Sequence, residues 1–349
     1  MKKRCSILLA ACLMIAALTG CSKTQTVEQT SAQTTEVQQT EETQQEKEAQ
    51  TFSIGYPSYL QESQGEALVL EEKPEDIVVL SNSALQVLVA CGIEPVAVTS
   101  PHVQIDYPDW VRKLPVISTG MSNLDSESVI SMQPDLVIMG VHLKEDYGQQ
   151  FQDAGIPVYY TSEGPSITYQ EVKEEAITLT ESFGTKEQLE KMKSDFAACL
   201  VGSEMCIRDS FREKWDSKQM MILFGAPPSY QQTSKGYLGS ILAMLPFENM
   251  ADQVLSEDSR TAPLDLESLL EMNPDILFAI SPTAQSAEDL QAVYAEEFEK
   301  NPKIWSSLQA VKNDQVIWLS NEYVTSKGVH IIQSIHSLID MLEEKFAVN

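Results

Sequence analysis

Positive charge is scarce in this chain of 349 residues, which has 24 Lys and Arg against 51 Asp and Glu and a formal net charge of −27 at pH 7. Contact with nucleic-acid phosphates needs the opposite sign, so the composition argues against a nucleic-acid-binding protein. Histidine is also rare, with 4 residues, and no cluster of His, Asp and Glu has the spacing of a zinc or manganese site.

The sequence also lacks the local patterns of common enzymes. It has no glycine-rich phosphate loop, no Gly-x-Ser-x-Gly elbow and no nucleophile spaced for a neighbouring base. Of the 6 cysteines, an odd number remains once those of the N-terminal segment are set aside, namely Cys91, Cys199 and Cys206. They suggest no disulfide framework and no metal site, and we expect neither an enzyme nor a disulfide-stapled domain.

One long apolar run is present, Ile7 to Leu18, and its twelve residues are fewer than the roughly 20 that span a bilayer. Basic residues at positions 2–4 precede it and small residues follow, which is the pattern of a secretory signal. Removal of these three basic residues would take the charge from −27 to −30. Leu18-Thr19-Gly20-Cys21 resembles the lipobox of bacterial lipoproteins, in which the cysteine is acylated.

We therefore predict a signal peptide at 1–20 and a lipid on Cys21 that holds the protein at the outer face of the cytoplasmic membrane. Residues 21–52 are predicted to be a disordered tether, because Thr, Gln, Glu and Ser without apolar partners cannot offset the entropy of ordering. A two-chain lipid anchors stably where one chain does not.

A repeat is the most informative feature of the remaining chain. Residues 124–138 align without gaps on residues 264–278, with seven of fifteen positions identical at a constant offset of 140. Each copy has an Asp suited to cap a short helix, a Pro to end it, and then a continuous apolar run typical of a buried parallel strand. The repeat predicts two lobes of similar build.

Apolar runs near residues 77–80, 95–98, 157–160, 220–224 and 315–319 are further candidate strands, and helical patterns lie between them. This alternation predicts an α/β fold with mainly parallel sheets. We expect a first lobe at 53–184, a connecting helix at 185–216 that starts with a capping box at Thr185, and a second lobe at 217–349. Residues 199–210 break the helical pattern, and we interpret them as an assembly artefact that replaces genuine helix.

The chain resembles the class III substrate-binding proteins of ABC importers, which carry iron-siderophores, heme and cobalamin. The resemblance covers about residues 74–342 and is carried by Asp76-Ile-Val-Val-Leu-Ser81, Gly92-Ile-Glu-Pro-Val-Ala-Val98, the two Pro-Asp strand motifs and Ala310-Val-Lys-Asn-Asp-Gln-Val316. It implies two α/β lobes joined by one long helix, a ligand cleft between them, and a monomer that delivers its ligand to a permease dimer.

Within that class the chain looks similar to the heme-receptor lipoproteins of Gram-positive iron-uptake systems. That similarity implies Met121 as an axial heme ligand, and metal contact through Met121 applies only if heme is bound. The family's second ligand, a His after the second Pro-Asp strand, is absent, since the chain reads Ser281-Pro282-Thr283 there. Further candidates for ligand contact are His102, His142, Tyr230 and Tyr237, which follow predicted strands.

Glu127 and Glu267 occupy the same register in the two copies of the repeat. Each could be an ordinary acid in the first turn of a helix, favoured by the helix dipole. In the family, however, the corresponding glutamates meet arginines of the two permease subunits, and we favour docking. Cobalamin or another corrinoid remains an alternative ligand, and a sensory or structural lipoprotein remains an alternative of another class.

Overall fold

The computed structural model describes residues 51–101, 105–118, 124–162, 167–204, 218–227, 229–256, 258–325 and 327–347. In those residues, no helix combines the length and the apolar character needed to cross a membrane. Cys21, the predicted signal peptide and nearly all of the predicted tether lie outside them.

The first lobe is built on a five-stranded sheet in the order β5-β4-β3-β6-β7, in which all neighbours are parallel. Every residue of β3, β4, β6 and β7 is buried, which explains why these strands read as continuous apolar runs. A two-stranded antiparallel ribbon, β1-β2, precedes the sheet. The strands are β1 (Phe52–Gly55), β2 (Ala67–Leu70), β3 (Ile77–Val79), β4 (Ala97–Thr99), β5 (Val116–Ser118), β6 (Leu136–Gly140) and β7 (Val158–Thr161).

Helices connect these strands and cover the sheet. Residues 143–153 are one of the helical patterns expected between the strands, and the structure winds this part of the chain as a 3₁₀ turn (Val141–Leu143), a π turn (Lys144–Gly148) and a short α-helix. The α-helices of this lobe are α1 (Ser58–Gln64), α2 (Asn82–Ala90), α3 (Ser126–Met132), α4 (Gln149–Asp153) and α5 (Tyr169–Phe183), with a further 3₁₀ turn at Val111–Lys113.

The long helix α6 (Lys186–Glu204) follows. Its predicted capping box is confirmed, because the Gln188 amide donates to Thr185 Oγ1 at 3.2 Å and the Thr185 amide donates to Gln188 Oε1 at 2.7 Å. Residues 205–217, which include half of the segment interpreted as an artefact, lie outside the described part, whereas the other half, residues 199–204, continues α6.

The second lobe has a six-stranded mixed sheet in the order β11-β9-β8-β12-β13, with β10 also paired to β8. β8, β12 and β13 are parallel, whereas β9 and β11 run antiparallel and were not predicted. The strands are β8 (Gln219–Phe224), β9 (Tyr230–Gln232), β10 (Glu248–Asn249), β11 (Thr261–Pro263), β12 (Ile276–Ile280) and β13 (Val316–Leu319).

The helices of the second lobe are α7 (Tyr237–Leu242), α8 (Ala251–Val254), α9 (Leu266–Met272), α10 (Ala287–Lys300), α11 (Pro302–Trp305), α12 (Gln309–Lys312), α13 (Glu322–Thr325) and α14 (Ile331–Ala347). Helix α14 packs against α6. The predicted class, α/β with two lobes and mainly parallel strands, is confirmed.

The repeat folds twice into the same unit of helix and strand. Asp125 and Asp265 cap α3 and α9, and residues 133 and 273 end these helices in the left-handed conformation, with φ of 49° and 46°. The amides of Asp135 and Asp275 donate to the chain just ahead of β3 and at the start of β8, at 2.9 Å in each lobe. The repeat therefore specifies equivalent local geometry down to individual hydrogen bonds.

Candidate ligand cleft and docking faces

The strand order of the first lobe identifies one edge of its sheet as a place for ligands. From β3 the chain first adds strands on one side, β4 and then β5, and afterwards returns to the other side of β3 to add β6 and β7. The direction of winding therefore reverses between β3 and β6. Open parallel sheets bind ligands outside the carboxyl ends of the strands at such a reversal. Ser81, which caps α2, follows β3, and the exposed His142 follows β6. His142 is therefore at the position that topology favours.

In the second lobe, the corresponding edge lies where β8 and β12 end. The Gly225 amide donates to the Ile280 carbonyl at 2.8 Å, and Gly225 has a φ of 88°, a conformation that favours glycine. Tyr230 begins the neighbouring antiparallel strand and is 47% exposed, which leaves its ring available to a partner. Ser281, Pro282 and Thr283 follow β12, and Thr283 is hydrogen-bonded to Ser281.

Tyr237 is placed differently from the expectation that it contacts a ligand. It is the first residue of α7 and is 1% exposed, with the Lys327 Nζ 6.0 Å from its ring centroid. Burial, and then the Glu322 charge, raise the pKa of its hydroxyl above the usual range. A ring so enclosed offers no face to a ligand in this conformation. Met121 and His102 lie outside the described residues.

The two histidines near the C-terminus differ in environment. The His330 Nε2 lies 3.4 Å from Glu322 Oε1, whereas His336 is exposed on α14. The nearby His330 imidazole lowers the pKa of Glu322, and Ser334 Oγ donates to the same carboxylate at 3.1 Å. These contacts hold the start of α14 and the residue just before it against α13, within the second lobe.

A buried carboxylate organises the edge of the first lobe. Glu175 on α5 is 3% exposed and accepts hydrogen bonds from Ser83 Oγ at 2.8 Å and from the Ser162 amide at 2.9 Å. The Tyr59 hydroxyl donates to it at 3.2 Å, and burial followed by the Glu175 charge raises the pKa of Tyr59. One side chain thus ties the start of α2, the end of β7 and helix α1 together.

The lobes touch at the start of α5. Arg260 makes two hydrogen bonds of 3.1 Å to the Glu171 carboxylate, and the Tyr169 amide donates to Ser240 Oγ at 2.9 Å. Burial alone would raise the pKa of Glu171, but the hydrogen bonds from Arg260 and Thr168 outweigh it and lower the pKa below its usual value. Sequence reasoning found neither partner, although Thr168 and Glu171 have the spacing of a capping box.

A pocket of about 500 Å³ lies elsewhere between the two lobes. Its walls are the second half of α2, residues 105–108, the middle of α6 and the start of α14, so it flanks the connecting helix rather than opening at the carboxyl ends of the strands. His330 and His336 contribute to its lining, together with Asp106 and Asp195. In the described residues, no group of three or more His, Cys, Asp and Glu is arranged to hold a metal ion.

Glu127 and Glu267 are exposed in the first turns of α3 and α9. Because each helix leads into a parallel strand, its first turn lies toward the carboxyl edge of its sheet. The structure thus places one free carboxylate at equivalent points of the two lobes, on the same edge as the candidate cleft. Their neighbours differ, since Leu270 is 39% exposed and Ile130 is partly buried.

Comparison with known proteins agrees with this architecture. The model of a family described as periplasmic binding protein matches residues 77–323. The chain is 24% identical over 353 residues to an uncharacterized ABC transporter substrate-binding lipoprotein, YvrC, of Bacillus subtilis (strain 168), with 98% of each chain covered.

Two solved structures share the fold. One is Staphylococcus aureus SirA complexed with staphyloferrin B, which has a TM-score of 0.60 and 21% identity over 80% of this chain and 95% of that one. The other is S. aureus IsdE complexed with heme, with a TM-score of 0.60 and 20% identity over 76% of this chain and 97% of that one.

Proposed function

Because the chain belongs to the periplasmic binding protein family, we propose that it is the substrate-binding lipoprotein of an ABC importer and captures an iron complex, heme or a ferric siderophore. The observation that carries this function is the paired helix–strand unit. It gives each lobe an exposed glutamate at the edge where the two lobes meet. A protein that binds a ligand between two lobes and passes it to a dimeric partner needs both features at one edge.

The two glutamates are proposed to dock the permease, each lobe meeting one subunit. Charges fixed on two separate rigid units orient an encounter and speed it more than they add affinity. The net charge of −27 would assist approach to a basic surface. We further propose that a lipid on Cys21 and the tether at 21–52 keep the lobes at the membrane that holds the permease.

For the ligand, we propose contact with His142 and Tyr230 from opposite lobes, together with Met121 and His102. A flat macrocycle or a catecholate would stack on the exposed Tyr230 ring, which combines apolar area with a polar tip. The buried Tyr237 would support the cleft through the Lys327 contact rather than touch the ligand. SirA with staphyloferrin B and IsdE with heme share this fold, which makes both ligand types candidates here.

Titration of the purified protein with hemin, cyanocobalamin and ferric staphyloferrin B tests the ligand class. If hemin binds, Met121→Ala should shift the Soret band and weaken binding. If the metal arrives already saturated by its own chelator, Met121→Ala should act only through lost packing, at most about 1–3 kcal/mol.

Matched variants separate cleft residues from surface residues. His142→Ala and Tyr230→Ala should weaken binding of whichever compound saturates the wild type, whereas His336→Ala, another exposed histidine, should leave the affinity unchanged. Preference for cyanocobalamin would favour the corrinoid alternative. Absence of binding to all three compounds, with normal growth of a deletion strain on each, would favour a sensory or structural lipoprotein.

The anchor has its own test. Cys21→Ala should release the protein from the membrane fraction or leave it unprocessed, because acylation of this thiol is the proposed attachment. Tight membrane association of the variant after a carbonate wash would contradict the proposed anchor.

A further inference from the structure

A buried glutamine bridges the two lobes near the connecting helix. Gln86 on α2 is 6% exposed, although it lies in a helix whose other inward residues are mostly apolar. Its Nε2 donates to the Lys327 carbonyl and its Oε1 accepts from the His330 amide at 2.8 Å. One side-chain amide of the first lobe thus forms hydrogen bonds with a backbone carbonyl and a backbone amide of the second lobe, both of which would otherwise need another partner.

The segment that receives Gln86 is shaped to approach α2 closely. Gly328 has a φ of 90°, in the region that favours glycine, and a Cβ there would lie 2.9 Å from the Ser83 carbonyl oxygen and 3.1 Å from Gln86 Oε1. Any side chain at position 328 would therefore push the segment away from α2. Backbone conformation and space both require glycine at this contact.

Each side of the contact is anchored in its own lobe. On the first lobe, Ser83 donates to the buried Glu175, which also holds the Ser162 amide at the end of β7. On the second lobe, His330 lies 3.4 Å from Glu322 in α13, which follows β13. The contact consequently connects α2, the helix after β3, to the segment between α13 and α14, and each side is held by a neighbour in its own lobe.

We propose that Gln86 is a positioning residue that sets the spacing of the two lobes and thereby the width of the ligand cleft. This inference rests on the proposed function, because a cleft width matters only to a protein that binds between its lobes. The Glu171–Arg260 pair is a second, separate contact, so loss of Gln86 would widen the cleft without separating the lobes. If only the narrow cleft binds the ligand, the apparent affinity is the intrinsic affinity multiplied by the fraction of molecules in which the cleft is narrow.

The test measures the distance across the cleft in the acylated, full-length protein. Nitroxide labels are placed at Glu145→Cys and Glu288→Cys, exposed positions that follow β6 and β12, with Cys91, Cys199 and Cys206 replaced by alanine. Double electron–electron resonance is then recorded with and without Gln86→Leu or Gly328→Ala. Both substitutions should lengthen and broaden the distance distribution, although they alter opposite lobes by different means.

Asn249→Leu is the matched control. Asn249 is also a buried side-chain amide that bridges two backbone groups, the Gln232 carbonyl and the Ala251 amide, but both belong to the second lobe. Its loss should lower the melting temperature and leave the distance across the cleft unchanged. The same widening in Asn249→Leu, or an unchanged distance in both Gln86→Leu and Gly328→Ala, would overturn the proposal.

Hemin titration links the spacing to binding. Gln86→Leu should weaken hemin binding about tenfold, because the competent spacing is populated less often. If hemin fails to bind even the wild type, the heme assignment fails, yet the distance measurement still decides whether Gln86 sets the spacing. Widening with unchanged hemin affinity would overturn the claim that this spacing controls the cleft. If Gln86→Leu fails to fold, Gly328→Ala supplies the same comparison from the other lobe.

Discussion

The two copies of the repeat, residues 124–138 and 264–278, have the same frame and different surroundings. In both, a capping Asp accepts hydrogen bonds from the next turn, a left-handed residue ends the helix, and an Asp amide closes onto the neighbouring strand. The hydrogen bonds from Ser128 and Ser268 lower the pKa of the two capping carboxylates alike. What the copies share is the part that holds a glutamate at the edge of each lobe.

The copies diverge where their strands end. After β6 the chain winds through 3₁₀ and π turns that expose His142, whereas after β12 it makes a hydroxyl-bonded turn at Ser281 and Thr283. Loops tolerate such change because they carry few of the contacts that stabilise the sheets. The comparison teaches that the two proposed roles use different parts of one unit: the proposed docking uses the shared frame, and the proposed ligand recognition uses the loops that differ.

Docking gives the largest expected effect. Glu127→Gln and Glu267→Gln should each lower uptake on the order of tenfold, or 1.4 kcal/mol, and together abolish it, because equivalent frames present equivalent charges to two subunits. Uptake of labelled substrate by whole cells is measured beside the affinity of the purified variants, which should not change.

The control residue lies on α9, the helix that carries Glu267. Glu271 is an exposed acid one turn after Glu267, and the first lobe has Ser131 at that position. Glu271→Gln should therefore leave uptake near the wild-type level. If only one of the two substitutions lowers uptake, the two lobes are not functionally equivalent. If the substitutions lower ligand affinity, the glutamates contact the ligand in the cleft and not the permease.

The ion pair between the lobes should have a smaller, pH-dependent effect. Glu171 has a lowered pKa in the folded protein, so its contribution to the free energy of unfolding is present above the unfolded value of 4.5 and is lost as the pH falls through the folded pKa. Arg260→Ala should cost about 1 kcal/mol at neutral pH, discounted because Arg260 is 37% exposed. The difference from wild type should shrink as the pH falls below 4.5.

Urea unfolding at neutral pH and at acid pH measures the difference in stability between Arg260→Ala and the wild type. Lys193→Ala serves as the control, because Lys193 and Glu181 form an ion pair with both side chains at least 42% exposed. Its loss should change stability by less than about 0.5 kcal/mol at either pH. An Arg260→Ala deficit that persists unchanged in acid would show that the arginine acts through packing instead of charge.

The parallel core of both lobes could be predicted from the sequence, because strands buried on two faces leave continuous apolar runs such as Ile276–Ile280. The repeat then predicted, in both lobes, a short helix followed by a buried strand. The antiparallel strands β9 and β11 escaped prediction because they are three residues long and carry polar residues such as Gln231 and Gln232, both buried.

The contacts between the lobes were equally hidden. Gln86 and His330 are 244 residues apart, and a lone polar residue in the apolar run of α2 was the one local signal that this side chain has a buried partner. Tyr237 illustrates the reverse problem. The family resemblance favoured ligand contact by this tyrosine after a predicted strand, yet it starts a helix whose first turn is buried. Pattern alone does not tell which face of a short element is covered.

The smallest expected effect is a difference in stability between the ends of α3 and α9, the helices of the two repeat copies. Gln133 and Asn273 both end their helices with positive φ, but the Asn273 Oδ1 also accepts the Gln309 amide at 2.8 Å, while Gln133 is exposed. Glycine adopts this conformation without strain, so Gln133→Gly should raise the free energy of unfolding by about 0.5–1 kcal/mol. Asn273→Gly should instead lower it by about 1 kcal/mol, because the hydrogen bond to α12 is lost. Chemical unfolding of the two variants should therefore give changes of opposite sign. Equal changes would mean that the Gln309 contact adds nothing and that the two helix ends are energetically as alike as their dihedral angles.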